Sequence, residues 1–278
     1  MDALTPRVNS ETANLTHVVI GLPDTFHRSN PEIINQTQQR FYYTEDHPER
    51  EKLILELAEF RNLLEHHGVE VYQPATVEGV PDQLTPRDIG FVIGDTLVLS
   101  NMANRSRRME WRGLQKMIRQ LDTPVVHLPE SLTIEGGDVI VHEGVIYVGI
   151  SERTSQDTAD YLAQTFPQYE VMAVPLRSSD SAQEILHLDC TFLPVGNEHA
   201  LIYPEGLAEV PAAINDRFDL IKVMSEEQQD LAVNVLSLSP RIVVSRSRAK
   251  RVNARLRNIG FQVIEIEFDE APKTGGSL

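Results

Sequence analysis

The sequence predicts an α/β fold built from a repeated unit, closed into a ring or stacked as a solenoid. Three observations carry that reading. Strand-like hairpins recur, each entered through an acidic motif: Pro86-Arg-Asp88 before IGFVIGDTLVLSN, Glu135-Gly-Gly-Asp138 before VIVHEGVIYVGI, and His187-Leu-Asp189 before CTFLPVGNEHALIYPE. Asp88, Asp138 and Asp189 are separated by 50 and then 51 residues, near the spacing of roughly 40–50 residues that marks repeat architectures. Helical stretches and short apolar strands alternate with the hairpins. In a ring every hairpin entrance faces the axis, so acids from separate units meet in one pocket. An ordinary α/β sheet whose strand ends carry acids is the plainer alternative.

The elements follow in order. Residues 1–16 show no strong pattern and are expected to be a loose arm, with 17–278 a single domain because no Pro/Ser/Gly-rich linker divides it. A strand at 17–22 leads through a helix at 49–67 to a strand at 69–73. Pro48 opens that helix and Gly68 stops it, as helix punctuation requires. The intervening stretch from Leu22 to Pro48 has neither period. Loops that long are usually functional or disordered, and its Asn, His and aromatic residues suit a lid as well as a surface excursion.

After the hairpin with Gly94-Asp95 at its tip come a helix at 107–120 and a strand at 125–128. Glu135 and Asp138 then stand before the hairpin 139–141/145–150. Residues three apart in an extended strand point to opposite faces, but Gly136 and Gly137 allow a kink that turns both carboxylates to one cavity. A helix at 155–166 and a strand at 171–176 follow. His187 and Asp189, two apart, share one face of a strand. Cys190 faces away and behaves as a small core hydrophobe. Two further units are visible in degraded form, a helix at 226–236 with a strand at 241–245, and a helix at 249–259 with a strand at 261–268.

Composition bounds the function. A formal charge of −16 disfavours nucleic acid and anionic membrane as partners and suits a cationic ligand. No apolar run approaches the roughly 20 residues of a membrane span, and the N-terminus lacks a signal-peptide core. The single cysteine excludes an internal disulfide framework and fits a reducing cytoplasm. Self-association is left open.

The chemistry-bearing set is Asp88, Glu135, Asp138, His187 and Asp189. One histidine with no paired-histidine spacing disfavours a metal centre, and a glycosidase-like carboxylate pair is a weaker fit. Several carboxylates around a planar cation fit better, because guanidinium presents fixed forks of N–H donors. A histidine beside them transfers protons near neutral pH, and attack on the guanidinium carbon needs a nucleophile, ideally a thiolate. Basic residues at two helix starts, Asn104 to Arg108 and Ser151-Glu-Arg153-Thr154, are not favoured by the helix dipole. They are explained either by gripping a ligand carboxylate or by salt bridges.

In this order PRD, EGGD, SERT, HLD and the terminal Gly275-Gly-Ser277 resemble the guanidino-group-modifying enzyme superfamily of arginine deiminases, dimethylarginine dimethylaminohydrolases and amidinotransferases. The resemblance runs from the strand at 17 to the end. It implies a five-bladed α/β propeller of ββαβ units around a central channel, with no cofactor and no metal. It also implies that Asp88 and Asp189 hold the guanidinium nitrogens and that His187 is the general acid/base, oriented by Glu135 or Asp138. Arg153, and less directly Arg108, would bind the substrate carboxylate, and the loop from Leu22 to His27 would belong to a lid. The implied activity is hydrolysis of an arginine-like compound, with amidino transfer or a non-catalytic binding propeller as alternatives. The family's catalytic cysteine lies one or two residues beyond the GGS motif. The residues given stop at Leu278, so the expectation is that they end just short of it, or that the protein is inactive.

Overall fold

The computed structural model describes residues 4–26, 33–80, 83–177 and 185–278. Among them, strands form five separate sheets, none closed on itself. In sheet one, β1 (His17–Val19) pairs in parallel with β2 (Glu70–Tyr72), across α1 (Gln36–Phe41) and α2 (Arg50–His66). In sheet two, preceded by the single turn α3 (Pro86–Ile89), a hairpin of β3 (Gly90–Ile93) and β4 (Thr96–Leu99) is joined by α4 (Gln115–Ile118) to the parallel strand β5 (Val125–His127).

Sheets three and four repeat that order. Sheet three comprises β6 (Val139–His142), β7 (Val145–Ile150), α5 (Gln156–Thr165) and β8 (Glu170–Pro175). Sheet four comprises β9 (Phe192–Val195), β10 (His199–Ile202), α6 (Ala212–Arg217) and β11 (Asp219–Lys222). After α7 (Ser225–Gln229), sheet five joins β12 (Leu236–Ser239), β13 (Ile242–Arg246), α8 (Lys250–Asn258) and β14 (Gln262–Ile266). The β6–β7 turn shows why the hairpins close tightly: Glu143 and Gly144 have φ of 48° and 80°, the left-handed pair that two-residue hairpins use.

Several expectations need correction. The span 107–120 is not one helix but 3₁₀ turns at Arg105–Arg107 and Glu110–Leu114 running into α4. Gly113 lies so close to the Ala75 carbonyl that a Cβ would sit 2.6 Å from its oxygen, and Arg107 is drawn into buried ion pairs. The helix expected to reach residue 236 stops at Gln229, and Leu236 instead opens β12. The apolar run from Leu231 is ambiguous between periods, and Leu231 itself turns left-handed with φ of 54°. The strand β11 is additional to the expected elements.

The expected loose arm is bonded to three hairpins. Val8 exchanges backbone hydrogen bonds with Gly94 (2.7 and 2.8 Å), the Glu11 N–H donates to Val141 O (2.8 Å), and the Leu15 N–H donates to Leu238 O (3.0 Å). The stretch expected to lack structure contains α1, and the Asn35 side chain caps it by accepting from the Gln38 N–H. His27, the far end of the expected lid, lies outside the described residues.

Packing sorts the sheets into groups. Sheets one and five share an apolar cluster in which α2 buries Leu53, Leu57, Phe60 and Leu64, one stripe of an amphipathic helix. Val139, Val141, Ile146 and Val148 of sheet three pack with Leu162 of α5, and the other face of that sheet joins sheet four through Tyr147 and Phe192.

Candidate active site

Each chemistry-bearing hairpin is entered through a single helical turn, not an extended strand. The Asp88 N–H bonds to Thr85 O (3.2 Å), the Asp138 N–H to Glu135 O (3.0 Å) and the Cys190 N–H to His187 O (3.2 Å). The strand expected to hold His187 and Asp189 is therefore a 3₁₀ turn over Leu188–Cys190. A turn lets consecutive side chains diverge, and His187, Asp189 and Cys190 all border one cavity of about 570 Å³. Arg87, Asp88 and the terminal Gly275 to Leu278 line it too.

His187 is the centre of the cluster. Its Nε2 lies 2.9 Å from Glu135 Oε2 and its Nδ1 3.6 Å from Asp88 Oδ1. The ring rests against the backbone of Gly137, where a Cβ would come within 2.6 Å of Nδ1. Glycine is needed there for close approach. Gly136 serves likewise, because a Cβ would fall 2.0 Å from the Arg87 carbonyl oxygen.

The two acids of the EGGD turn part company. Glu135 accepts from the His187 ring, whereas Asp138 accepts from the Leu188 N–H (2.9 Å) and the Ser151 hydroxyl (2.7 Å). Both are fully buried. Glu135 thus meets the ring directly, and Asp138 bonds to the backbone beside it. The kink does not aim both carboxylates at one ligand.

Two further arginines complete the cluster, and at Arg107 the salt-bridge alternative for the basic stretch 104–108 is the one found. Arg107, buried, donates to Asp88 Oδ2 (2.8 Å), Glu110 Oε1 (2.7 Å) and Thr85 Oγ1 (2.7 Å). Its signal in the sequence was the i, i+3 spacing to Glu110. Arg87 donates through Nε to Asp189 Oδ2 (2.9 Å).

Arg108, expected at the substrate carboxylate, donates to the backbone oxygen of Met102 (3.1 Å). Arg153 pairs with Glu135 and, like Arg108, is not among the residues lining the cavity: its Nη1 lies 3.3 Å from Glu135 Oε1, and its Nη2 donates to Ile34 O. With the Asn104 amide oriented oxygen-first, that oxygen accepts from Arg153 Nη1 at 2.6 Å. Leu22 contributes its backbone, donating to Gln83 O (2.8 Å) close to the turn that carries Asp88.

The proton balance follows from these contacts. Burial opposes a charged imidazole, but the charge of Asp88, the hydrogen bond to Glu135 and the charges of Asp138 and Glu135 raise His187 to about 10. Burial raises Asp88, yet the charges of His187 and Arg107 outweigh it and bring the carboxyl down to about 2. Glu135 is likewise buried but lowered by the hydrogen bond and charge of His187. Burial wins at Asp138, only partly offset by the His187 charge and by hydrogen bonds from Thr154, Ser151 and the Leu188 N–H, which leaves it at about 7. Burial also raises Asp189, against the charges of Arg87 and His187. Cys190 is pushed well up by burial and by the Asp189 charge, with Sγ 3.5 Å from Asp189 Oδ1. That thiol is poorly placed to ionise.

Potential ligand atoms of Asp88, Glu135 and His187 lie within 4.8 Å of one another. Both carboxylates already have arginine partners in Arg107 and Arg153, so the trio is charge-compensated without an ion. A histidinium held between ionised carboxylates, beside a further acid that borders the cavity, can bind a cation and hand over a proton.

Residues 23–278 match the family model described as N,N dimethylarginine dimethylhydrolase, eukaryotic, and the chain belongs to that family, within the guanidino-modifying superfamily that its motifs resemble. A Bacillus subtilis (strain 168) protein, uncharacterized protein YkgA, is 33% identical over 271 residues, spanning 97% of this chain and 91% of the relative. The bifunctional arginine dihydrolase/ornithine cyclodeaminase AgrE of a Nostoc species is 28% identical over 228 residues, 78% of this chain but 31% of that longer relative. Among solved structures, SxtG, an amidinotransferase from Microseira wollei, superposes with a TM-score of 0.84 at 19% identity, covering 98% of this chain and 94% of the other. The N-terminal domain of the cyanobacterial arginine dihydrolase ArgZ, bound to product, gives 0.83 at 21% identity, covering 95% of this chain and 94% of the other. These likenesses show a shared mixed α/β fold. Among the described residues, no helix is long and apolar enough to cross a membrane.

Proposed function

We propose that this protein hydrolyses a guanidino compound of the arginine or N-methylarginine type through a covalent amidino-thioether. The observation that carries the reading is the placement of His187 between Asp88 and Glu135, in the cavity that Asp189 and residues 275–278 also line. The family model and the arginine dihydrolase and deiminase relatives support it. The five sheets are read as blades of a ring whose axis holds this cavity.

Asp88 and Asp189 accept the N–H donors of the guanidinium, whose planar fork matches carboxylate geometry. Arg153 is assigned to the substrate carboxylate, with Arg108 as a second, more distant cation, and the backbone around Leu22 belongs to the lid. The nucleophile is a cysteine following Leu278, because Cys190 is held as a neutral, buried thiol. Its thiolate bonds to the guanidinium carbon. As the C–N bond breaks, His187 gives its proton to the departing amine. The neutral imidazole then takes a proton from water, whose oxygen attacks the same carbon. The C–S bond breaks, the thiolate is restored and a ureido product leaves. An acceptor amine in place of water would give amidino transfer.

The test uses the full-length protein with L-arginine, agmatine and N,N-dimethylarginine, following ureido product and released amine with and without an acceptor amine. The expected result is a ureido product, with one fast-alkylating thiol that substrate protects. Turnover undiminished after that thiol is alkylated would rule out the covalent route.

A further inference from the structure

Arg87 precedes Asp88 in sequence yet serves another carboxylate. Its Nε donates to Asp189 Oδ2 (2.9 Å), its Nη2 to the Val139 carbonyl (3.1 Å), and its Nη1 lies 3.5 Å from Glu11 Oε2 in the N-terminal arm. Its backbone is gripped as well, since only a glycine at 136 lets the EGGD turn approach the Arg87 carbonyl so closely. The side chain therefore ties four segments together: the turn before β3, the start of β6, the turn before β9 and the arm.

A carboxylate has two oxygens. Arg87 takes Oδ2 of Asp189 through a single N–H, and the described contact of Oδ1 is the weak donor Cys190 Sγ at 3.5 Å. Asp189 borders the cavity, with one oxygen held by a cation and the other met by that weak donor. We propose that Arg87 is a positioning residue that holds Asp189 by one oxygen so that the other is presented to the guanidinium of the bound ligand. This rests on the proposed guanidino function. Arg87 also repels a cationic ligand, and the gain from a fixed acceptor oxygen outweighs that repulsion.

The experiment is calorimetric titration of full-length protein with L-arginine and agmatine, alongside thermal melts. The variants are Arg87→Gln, Arg87→Lys, Asp189→Asn and the doubles. Arg87→Gln keeps a donor and loses the charge. It should weaken binding about tenfold, the scale of a charge-assisted hydrogen bond. Arg87→Lys should recover to within about threefold of wild type, because the charge returns. In the Asp189→Asn background either change should add less than about twofold, since residues acting through one partner are not additive. If Arg87→Gln does not fold, Arg87→Met, which also removes the charge, is read by the same criterion alone and in the Asp189→Asn background. Unchanged or tighter binding by Arg87→Gln overturns the inference, as does an equal loss in the Asp189→Asn background. Absence of saturable binding by the wild type overturns the proposed function itself. Wild-type binding with an indifferent Arg87 overturns this inference alone.

Discussion

Sheets two, three and four differ from sheets one and five in the few residues before their first strand. The former are entered through Thr85 to Asp88, Glu135 to Asp138 and His187 to Cys190, each closed by an i→i−3 backbone bond. The latter are entered through Asn14-Leu-Thr16 and Val233-Asn-Val235, which carry no acid. Sheets one and five instead share a single apolar cluster with α2, and Leu278 packs against it. One structural unit thus does two jobs. Where the turn carries charge it builds the buried charged cluster, and where it is apolar it builds the wall against which Leu278 packs.

That division is tested most severely at His187. Replacing it with Asn removes the proposed proton donor, and turnover should fall about 10²–10⁴-fold, the usual weight of a general acid or base. The fold should persist, as near-wild-type circular dichroism would show. Next in size is a pair of buried arginines, one from each kind of region. Arg107 joins Asp88 and Glu110, and Arg107→Ala should cost about 3–5 kcal/mol, because two buried carboxylates lose their cation. Arg246 of β13 donates to the carbonyls of Phe268 and Asp230 and to half-exposed Asp269, so Arg246→Ala should cost about 1–3 kcal/mol. Urea melts measure both. Ligand affinity should drop for Arg107→Ala alone, and an equal drop for Arg246→Ala would erase the distinction between the regions.

The same contrast explains what could be read in advance. The hairpins of sheets two, three and four were legible because glycine tips and acidic entrances bracket each strand pair. Sheet five was half hidden, since the run from Leu231 to Leu238 suits a helix as well as a strand until long-range pairing with β13 decides it. The chemistry-bearing residues were legible as types, but their division of labour was not. Whether Glu135 or Asp138 meets His187 depends on which side of a one-turn helix each leaves, and spacing alone does not set that. The tie from Arg87 to Asp189 spans 102 residues and that from Arg107 to Asp88 spans 19, so neither shows in local spacing, although the pairing of Arg107 with Glu110 does. The arm looked patternless because its order comes from hydrogen bonds to three hairpins, not from a period of its own.

Within the EGGD turn, pH separates the two acids. Asp138 titrates near 7 in the folded chain, against an ordinary value of 3.8. The folded state therefore binds the extra proton between those values, and this group's contribution to stability falls as pH rises from about 4 to about 7. Glu135 has the opposite sign. Its carboxyl is lowered, so its contribution is present above the ordinary range and lost only in more acid solution. Asp138→Asn should flatten the decline in melting temperature between pH 4 and 7, while Glu135→Gln should leave that window's slope in place. A wild type with no such decline would remove the separation.

The smallest effect is expected where a cysteine touches a site acid without joining the chemistry. Cys190 is buried in the cluster of sheets three to five and holds its proton because of burial and the neighbouring Asp189 charge. Cys190→Ala removes one sulfur from a packed core and one weak donor from Asp189 Oδ1. The stability cost should be about 1 kcal/mol, and turnover of the full-length enzyme should stay within about twofold, since a neutral thiol is no nucleophile. Alkylation should proceed slowly at this position and not respond to substrate. A collapse of turnover in Cys190→Ala, with the melt unchanged, would move the nucleophile to the turn before β9 and make that entrance the source of both acid and thiolate.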